Sequence, residues 1–210
     1  MNYEQVQWVA LPQFLFLNKN NLKYQDSIIY LTIRSYMNNE TGLCFPSYET
    51  IAAKAKVSKD FVMDSVRRLS AAGMIDVHVS KCATNRNNPN HYSFAEFKTF
   101  EQISSTFFED YGLTYTEKAM LLCIRQFCVH GLLTTVYTIK QIAELLGETY
   151  RIVHAQIRRL IEKGYLIQSE LCGRNGKVYF KKFILTNRIN WITNYQVPPT
   201  PETYPVLKVA

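Results

Sequence analysis

The sequence predicts a mainly α protein with small β-hairpins (α+β), built twice along one chain. Three observations carry that expectation: an internal repeat, three capped helical segments in each copy, and a pair of strand-like segments closing each copy. The repeat is the strongest. The two halves superimpose without a gap at an offset of 91 for more than fifty positions. In that register Tyr24 meets Tyr115, Leu31 meets Leu122 and Ile33-Arg34 meets Ile124-Arg125. Further on, Ile51-Ala52 meets Ile142-Ala143, Val62 meets Val153, Arg67-Arg68-Leu69 meets Arg158-Arg159-Leu160 and Gly73 meets Gly164.

In the first copy, Asp26 is positioned to cap a helix whose apolar residues Ile28, Ile29, Leu31 and Ile33 lead to Tyr36, and Asn38 to Gly42 supply its stop. Ser47, after Pro46, is the N-cap of a short helix from Tyr48 to about Ala55 with Ile51 and Ala52 inward. Ser58 caps a longer helix in which Val62, Val66 and Leu69 form the apolar stripe, and Gly73 closes it. Met74 to Val79 alternates as a strand, Lys81 to Asn90 is a polar turn, and His91 to Phe94 reads as the returning strand.

The second copy repeats this grammar. Thr114 to Glu117 is a capping box that opens a helix through Met120, Leu121, Ile124 and Phe127. Thr138 to Gln141 is another, opening a short helix that stops at Gly147. Thr149 stands where Ser58 does, and Val153, Ile157 and Leu160 repeat the stripe up to Gly164. Tyr165 to Leu171 and Val178 to Leu185 are strand-like, and Asn175-Gly176 between them signals a tight turn. Matching Tyr179 to Tyr92 makes this hairpin the shorter of the two.

Composition bounds the function without choosing it. The 210 residues are 47% hydrophobic and 20% charged, which suits a folded protein and is too apolar for disorder. No apolar run approaches the ~18 residues of a membrane span. The first ten residues hold no basic cluster and include Glu4, so no secretory leader is expected and the expected compartment is the cytoplasm. Five scattered cysteines without metal-ligand spacing read as reduced thiols. The net charge of +7 is divided between both halves and permits an anionic partner. There is no His-Glu-x-x-His, no Gly-x-Ser-x-Gly and no His-x-His, and Gly173-x-x-Gly176-Lys177 lacks phosphate-loop spacing. Neither an enzyme nor a cofactor or metal is expected.

The stretch Phe45 to Ile75, with Pro46-Ser47, Val57-Ser58, Val62, Arg67-Arg68-Leu69 and Gly73-Met74-Ile75, resembles a winged helix-turn-helix. It is similar to the GntR-type regulators and to the helix-turn-helix domains of plasmid and phage replication proteins. Gly147-Glu148-Thr149 through Arg158-Arg159-Leu160 to Gly164-Tyr165-Leu166 resembles the same family, with Glu148 where an apolar residue is usual. The resemblance implies two tandem winged helix-turn-helix domains, double-stranded DNA as partner and a third helix that enters the major groove. Its outer face would present Ser58, Lys59, Asp60, Met63 and Arg67 in the first copy, and Thr149, Tyr150, Arg151, His154 and Arg158 in the second. The hairpin tips would add Lys81 and Arg86, then Arg174 and Lys177, to phosphate or the minor groove. Asp60, Asp64 and Glu148 are expected near these faces, opposing phosphate.

The expected division is 1–98 for the first domain with an N-terminal extension, 99–112 for a linker, 113–186 for the second domain and 187–210 for a Pro-rich tail. Phe94, Phe97, Phe100, Ile103, Phe107 and Phe108 recur at near-helical intervals and predict a helical linker packing both copies. The linker or the tail is the place for a protein partner, and the chain would act as monomer or homodimer. The leading expectation is a sequence-specific DNA-binding transcription regulator of phage or plasmid type. The alternatives are a replication initiator and a winged-helix interaction module.

Overall fold

The structure is a computed structural model that describes residues 8–13, 21–38, 40–78, 90–97, 99–109, 111–128, 133–135, 137–172 and 178–191. The first copy contains α1 (Asp26–Arg34), α2 (Tyr48–Ala55), α3 (Lys59–Ala71), β2 (Ile75–His78) and β3 (His91–Phe94), preceded by β1 (Trp8–Pro12). After β4 (Phe100–Ser104) come α4 (Tyr115–Gln126), β5 (Thr134–Thr135), α5 (Ile139–Leu146), α6 (Tyr150–Glu162), β6 (Leu166–Cys172) and β7 (Val178–Leu185). Each three-helix cluster is thus followed by a small antiparallel sheet, the general plan of a winged helix-turn-helix.

Five of the six helices start as the sequence prescribes. The hydroxyls of Ser47, Ser58, Thr114, Thr138 and Thr149 each accept from a backbone N–H in the first turn, and Thr114 and Thr138 form complete capping boxes with Glu117 and Gln141. The exception is α1. Gln25 is its N-cap and makes no side-chain cap bond, while Asp26 is the first helical residue and fully buried. Its carboxylate is engaged elsewhere, as described below.

The register of 91 extends through both hairpins, so the second is not shorter. Ile75 pairs with Phe94 and Val77 with Tyr92; Leu166 pairs with Leu185 and Gln168 with Phe183. Tyr92 also donates its backbone N–H to the Cys44 carbonyl at 2.9 Å, and Phe183 is paired with Thr135, again 91 residues on. The equivalent of Tyr92 is therefore Phe183 and not Tyr179. Both are fully buried aromatics, and position in the sheet rather than residue identity decides the match.

The linker is not helical. Phe100–Ser104 is a strand paired antiparallel with β1, from Trp8 opposite Ser104 to Pro12 opposite Phe100, and only Ser105–Phe108 makes a turn of 3-10 helix. The three-residue apolar spacing that suggested a helix is overridden here by strand pairing, which buries Glu101 and Ile103 from one face of a two-stranded ribbon and sets Phe100 on the other. Glu101 then meets Arg125 of α4 at 3.0 Å with both side chains buried. Trp8 stacks on Phe100, and Phe107 packs against Trp191, which bridges back to Ile103. The linker's aromatics therefore pack within the chain.

α1 and α4 form the centre of the molecule. α1 is buried at every position from Asp26 to Ile33 and α4 from Glu117 to Arg125, an all-round burial that an amphipathic surface helix would not show. α1 is covered by α2 and α3, by β1, and by α4 itself. Each fully buried Leu or Ile of this core contributes on the order of 1.5–3 kcal/mol. Cys44, Cys123 and Cys128 are free thiols, and burial pushes all three upward, Cys44 to about 11 and the other two to about 12. No helix among the described residues is long and apolar enough to cross a membrane.

Candidate nucleic-acid interface

The turn between α2 and α3 is built from backbone geometry. Lys56 adopts the left-handed conformation (φ 56°), Val57 donates its N–H to the Ala52 carbonyl, and Ser58 then caps α3. The second copy makes the same turn with Gly147 (φ 64°), the Glu148 N–H on the Ala143 carbonyl and Thr149 as cap. The caps leave Ser58 and Thr149 exposed, with their hydroxyls engaged at the helix ends.

Burial of Val62, Ser65, Val66 and Leu69 fixes the rotation of α3, and that of Val153, Gln156, Ile157 and Leu160 fixes α6. The opposite faces stand in solvent. Lys59, Asp60, Met63 and Arg67 are exposed on α3; Tyr150, Arg151, His154 and Arg158 are exposed on α6. The helical residues expected at each face are thus brought together on one side of their helix. On α6 the Tyr150 and His154 rings stack at 5.6 Å, one helical turn apart. Lys81 and Arg86, and Arg174 and Lys177, lie outside the described residues.

Three of these cations already have acidic neighbours. Lys59 reaches Glu49 of α2 at 2.5 Å, Arg67 meets Asp64 at 2.9 Å and Arg158 meets Glu162 at 2.8 Å. Hydrogen bonding with Glu49 raises Lys59 above its ordinary range, and the same bond holds the Glu49 carboxyl below its own. All are exposed pairs of the kind that contribute little to stability, so a phosphate can replace the carboxylate at small cost. Arg151 has no ion pair among the described residues.

Glu148 does not belong to the reading face. It lies half-buried at the junction of the copies, raised by burial although Lys23 opposes that, and it faces Tyr24. Burial, then Glu148, Cys123 and Tyr115, push the Tyr24 phenol well above its usual range. The acid at the turn is thus partly withdrawn from solvent and within electrostatic reach of the first copy, whereas Asp60 and Asp64 are exposed on α3.

Sequence reasoning missed what holds the reading helices in place. The Asp26 carboxylate accepts from Ser65 Oγ at 2.7 Å, from Arg68 Nη2 at 2.7 Å and Nε at 2.9 Å, and from the Lys23 N–H at 2.8 Å, clamping α1 to α3. Its counterpart Glu117 accepts from the Thr114 N–H and from Lys163 Nζ, both at 2.8 Å, clamping α4 to the end of α6. Burial pushes Glu117 upward, but Lys163 and Thr114 outweigh it and hold the carboxyl below its ordinary value. The signal was in the repeat: an acid recurs at positions 26 and 117 ahead of two apolar helices.

Residues 20–75 match the family described as a helix-turn-helix domain. No curated protein and no solved structure matches the chain. The N-terminal part of the chain therefore carries a helix-turn-helix domain, a class that points to DNA binding and regulation. The match ends where β2 begins, and it covers the turn, both flanking helices and α1.

Proposed function

We propose that the chain is a sequence-specific double-stranded DNA-binding protein with two winged helix-turn-helix domains, a transcription regulator of phage or plasmid type. The observation that carries this reading is the helix-turn-helix match over α1 to α3, on a segment whose third helix turns an uncovered polar face to solvent. The repetition of the caps of α2 and α3, of the turn between them and of the stripe residues 91 positions later supports a second domain of the same kind. The domains run over 1–98 and 113–186, with the 99–112 segment as a structured connector and 187–210 as a tail.

Base and phosphate contacts come from Lys59, Met63 and Arg67 of α3 and from Tyr150, Arg151, His154 and Arg158 of α6, and the sequence offers Lys81, Arg86, Arg174 and Lys177 as further phosphate contacts. A bidentate arginine on guanine discriminates by about 1–3 kcal/mol. The test is selection of fragments bound from a sheared library of the source genome at physiological salt. Enrichment of a few short sites upholds the reading, and their place at a promoter selects a regulator. Return of the library without enrichment overturns it.

A further inference from the structure

The two copies follow one another in sequence, yet they do not sit head to tail. α1 packs against α4, its own equivalent 91 residues on. Tyr24 and Tyr115, again equivalents, lie within electrostatic reach of one another, each just ahead of or at the start of its helix. The Tyr115 ring then packs, tilted at 53°, 5.4 Å from that of Phe61 in the first turn of α3, and it shares a small cleft with Lys54, Ala55 and Lys56 at the end of α2. On the other side, Tyr24 feels the charge of Glu148, just before the first turn of α6. A helix packed on its own equivalent, with the start of that equivalent set against the other copy's turn, is the mark of an isologous interface, which a two-fold axis generates and a translation does not.

We infer that the two reading helices are related by an internal pseudo-two-fold axis through Tyr24 and Tyr115, so the DNA site is an imperfect inverted repeat rather than a direct repeat. This rests on the DNA-binding reading above. Each helix-turn-helix turn abuts the first helix of the other copy, so α3 and α6 both begin next to the axis. A duplex contacted by both helices meets them in opposite strand polarity, as half-sites meet a symmetric dimer. One chain supplies both halves.

The imperfection follows from the side chains. Position by position the faces oppose Ser58 to Thr149, Lys59 to Tyr150, Asp60 to Arg151 and Met63 to His154. Only Arg67 and Arg158 are the same residue. The half-sites are therefore alike where these arginines reach and different where the first turn reads.

The experiment is selection from a random-sequence duplex library with the full chain at physiological salt. The expected result is one motif whose halves are inverted and unequal. A direct repeat, or a single half-site with no second half, overturns the inference while leaving DNA binding intact. A library without enrichment overturns both. A second variant sharpens the test: Thr149→Ser, Tyr150→Lys, Arg151→Asp and His154→Met together give α6 the face of α3. The four positions are exposed, so folding is expected to survive. The selected motif should become a near-perfect palindrome, and an unchanged motif would sink the assignment.

Discussion

The two copies of the helix cluster differ most in how each third helix is held to the helix before it, and that difference reaches the surface. In the first copy Arg68 lies partly buried against Asp26, so the anchoring charge is drawn from α3 itself. In the second the anchor is Lys163, one residue past the end of α6, and Arg159, the equivalent of Arg68, stands exposed. α6 accordingly shows Arg151, Arg158 and Arg159 against Glu162, whereas α3 shows Lys59 and Arg67 against Asp60 and Asp64. The shifted anchor exposes Arg159, and together with Arg151 in place of Asp60 and Ala155 in place of Asp64 it gives α6 a cationic surface where that of α3 is neutral. On the proposed DNA-binding reading, the second copy should hold phosphate more tightly than the first.

The largest effect is expected at the anchors. Asp26→Ala leaves Ser65 and Arg68 without their buried acceptor and should destabilise the protein by about 3–5 kcal/mol in urea unfolding. Glu117→Ala should cost less, about 1–2 kcal/mol, because its partner Lys163 is more than a third exposed and can return to water. Equal losses would show that the anchors are equivalent. The acid limb separates them further. Glu117 sits below its ordinary value of about 4.3 in the native state, so its contribution is complete above that pH and is lost as pH falls through the lowered value. Glu117→Gln should therefore flatten the decline of stability in acid.

DNA affinity comes next. Arg151→Ala should lower the salt dependence of binding by about one unit, as removal of one phosphate contact does. Lys59→Ala should lower it less, because Lys59 first has to leave Glu49. Glu49→Gln should conversely tighten binding at low salt. If the α3 substitutions prove the more damaging, the ranking of the two faces is reversed.

Most of the framework was legible in the sequence because its signals are local. Caps at Ser47, Ser58, Thr114, Thr138 and Thr149, the Val62-Val66-Leu69 stripe and its copy, and the closing Gly73 and Gly164 each act within a turn or two of chain. What escaped was set by distant partners. Asp26 carries the signature of a cap, but Arg68 and Ser65, some forty residues away, claim its carboxylate. Phe100 and Ile103 are spaced as on a helix, and the presence of β1 as an edge to pair with overrode that local signal in favour of a strand. Glu148 was read as a surface acid because nothing local told that the turn is covered by the other copy.

Smaller, and opposite in sign, are the effects at the paired positions 65 and 156. Ser65 completes the Asp26 cluster, so Ser65→Ala should cost about 1 kcal/mol. Gln156 occupies the same place under α6, where Glu117 has Lys163 instead, and its buried Oε1 has no hydrogen-bond partner among the described residues. A buried acceptor left unmatched is a cost that an apolar residue of similar volume removes. Gln156→Leu should thus stabilise the protein by about 1 kcal/mol in the same urea titration.

The turn residues provide the finest comparison. Lys56 and Gly147 hold the same left-handed conformation at the end of α2 and α5, φ 56° and 64°, but only glycine does so without its Cβ crowding the backbone. Gly147→Ala should lose about 1 kcal/mol, and Lys56→Gly should gain somewhat less, since the lysine side chain has contacts of its own at the junction of the copies. Opposite signs from substitutions at equivalent positions would show that the backbone of the turn is common to both copies and that its residue is not. A loss at both would instead mean that Lys56 is kept for what its side chain touches, and that the junction outweighs the strain of the turn.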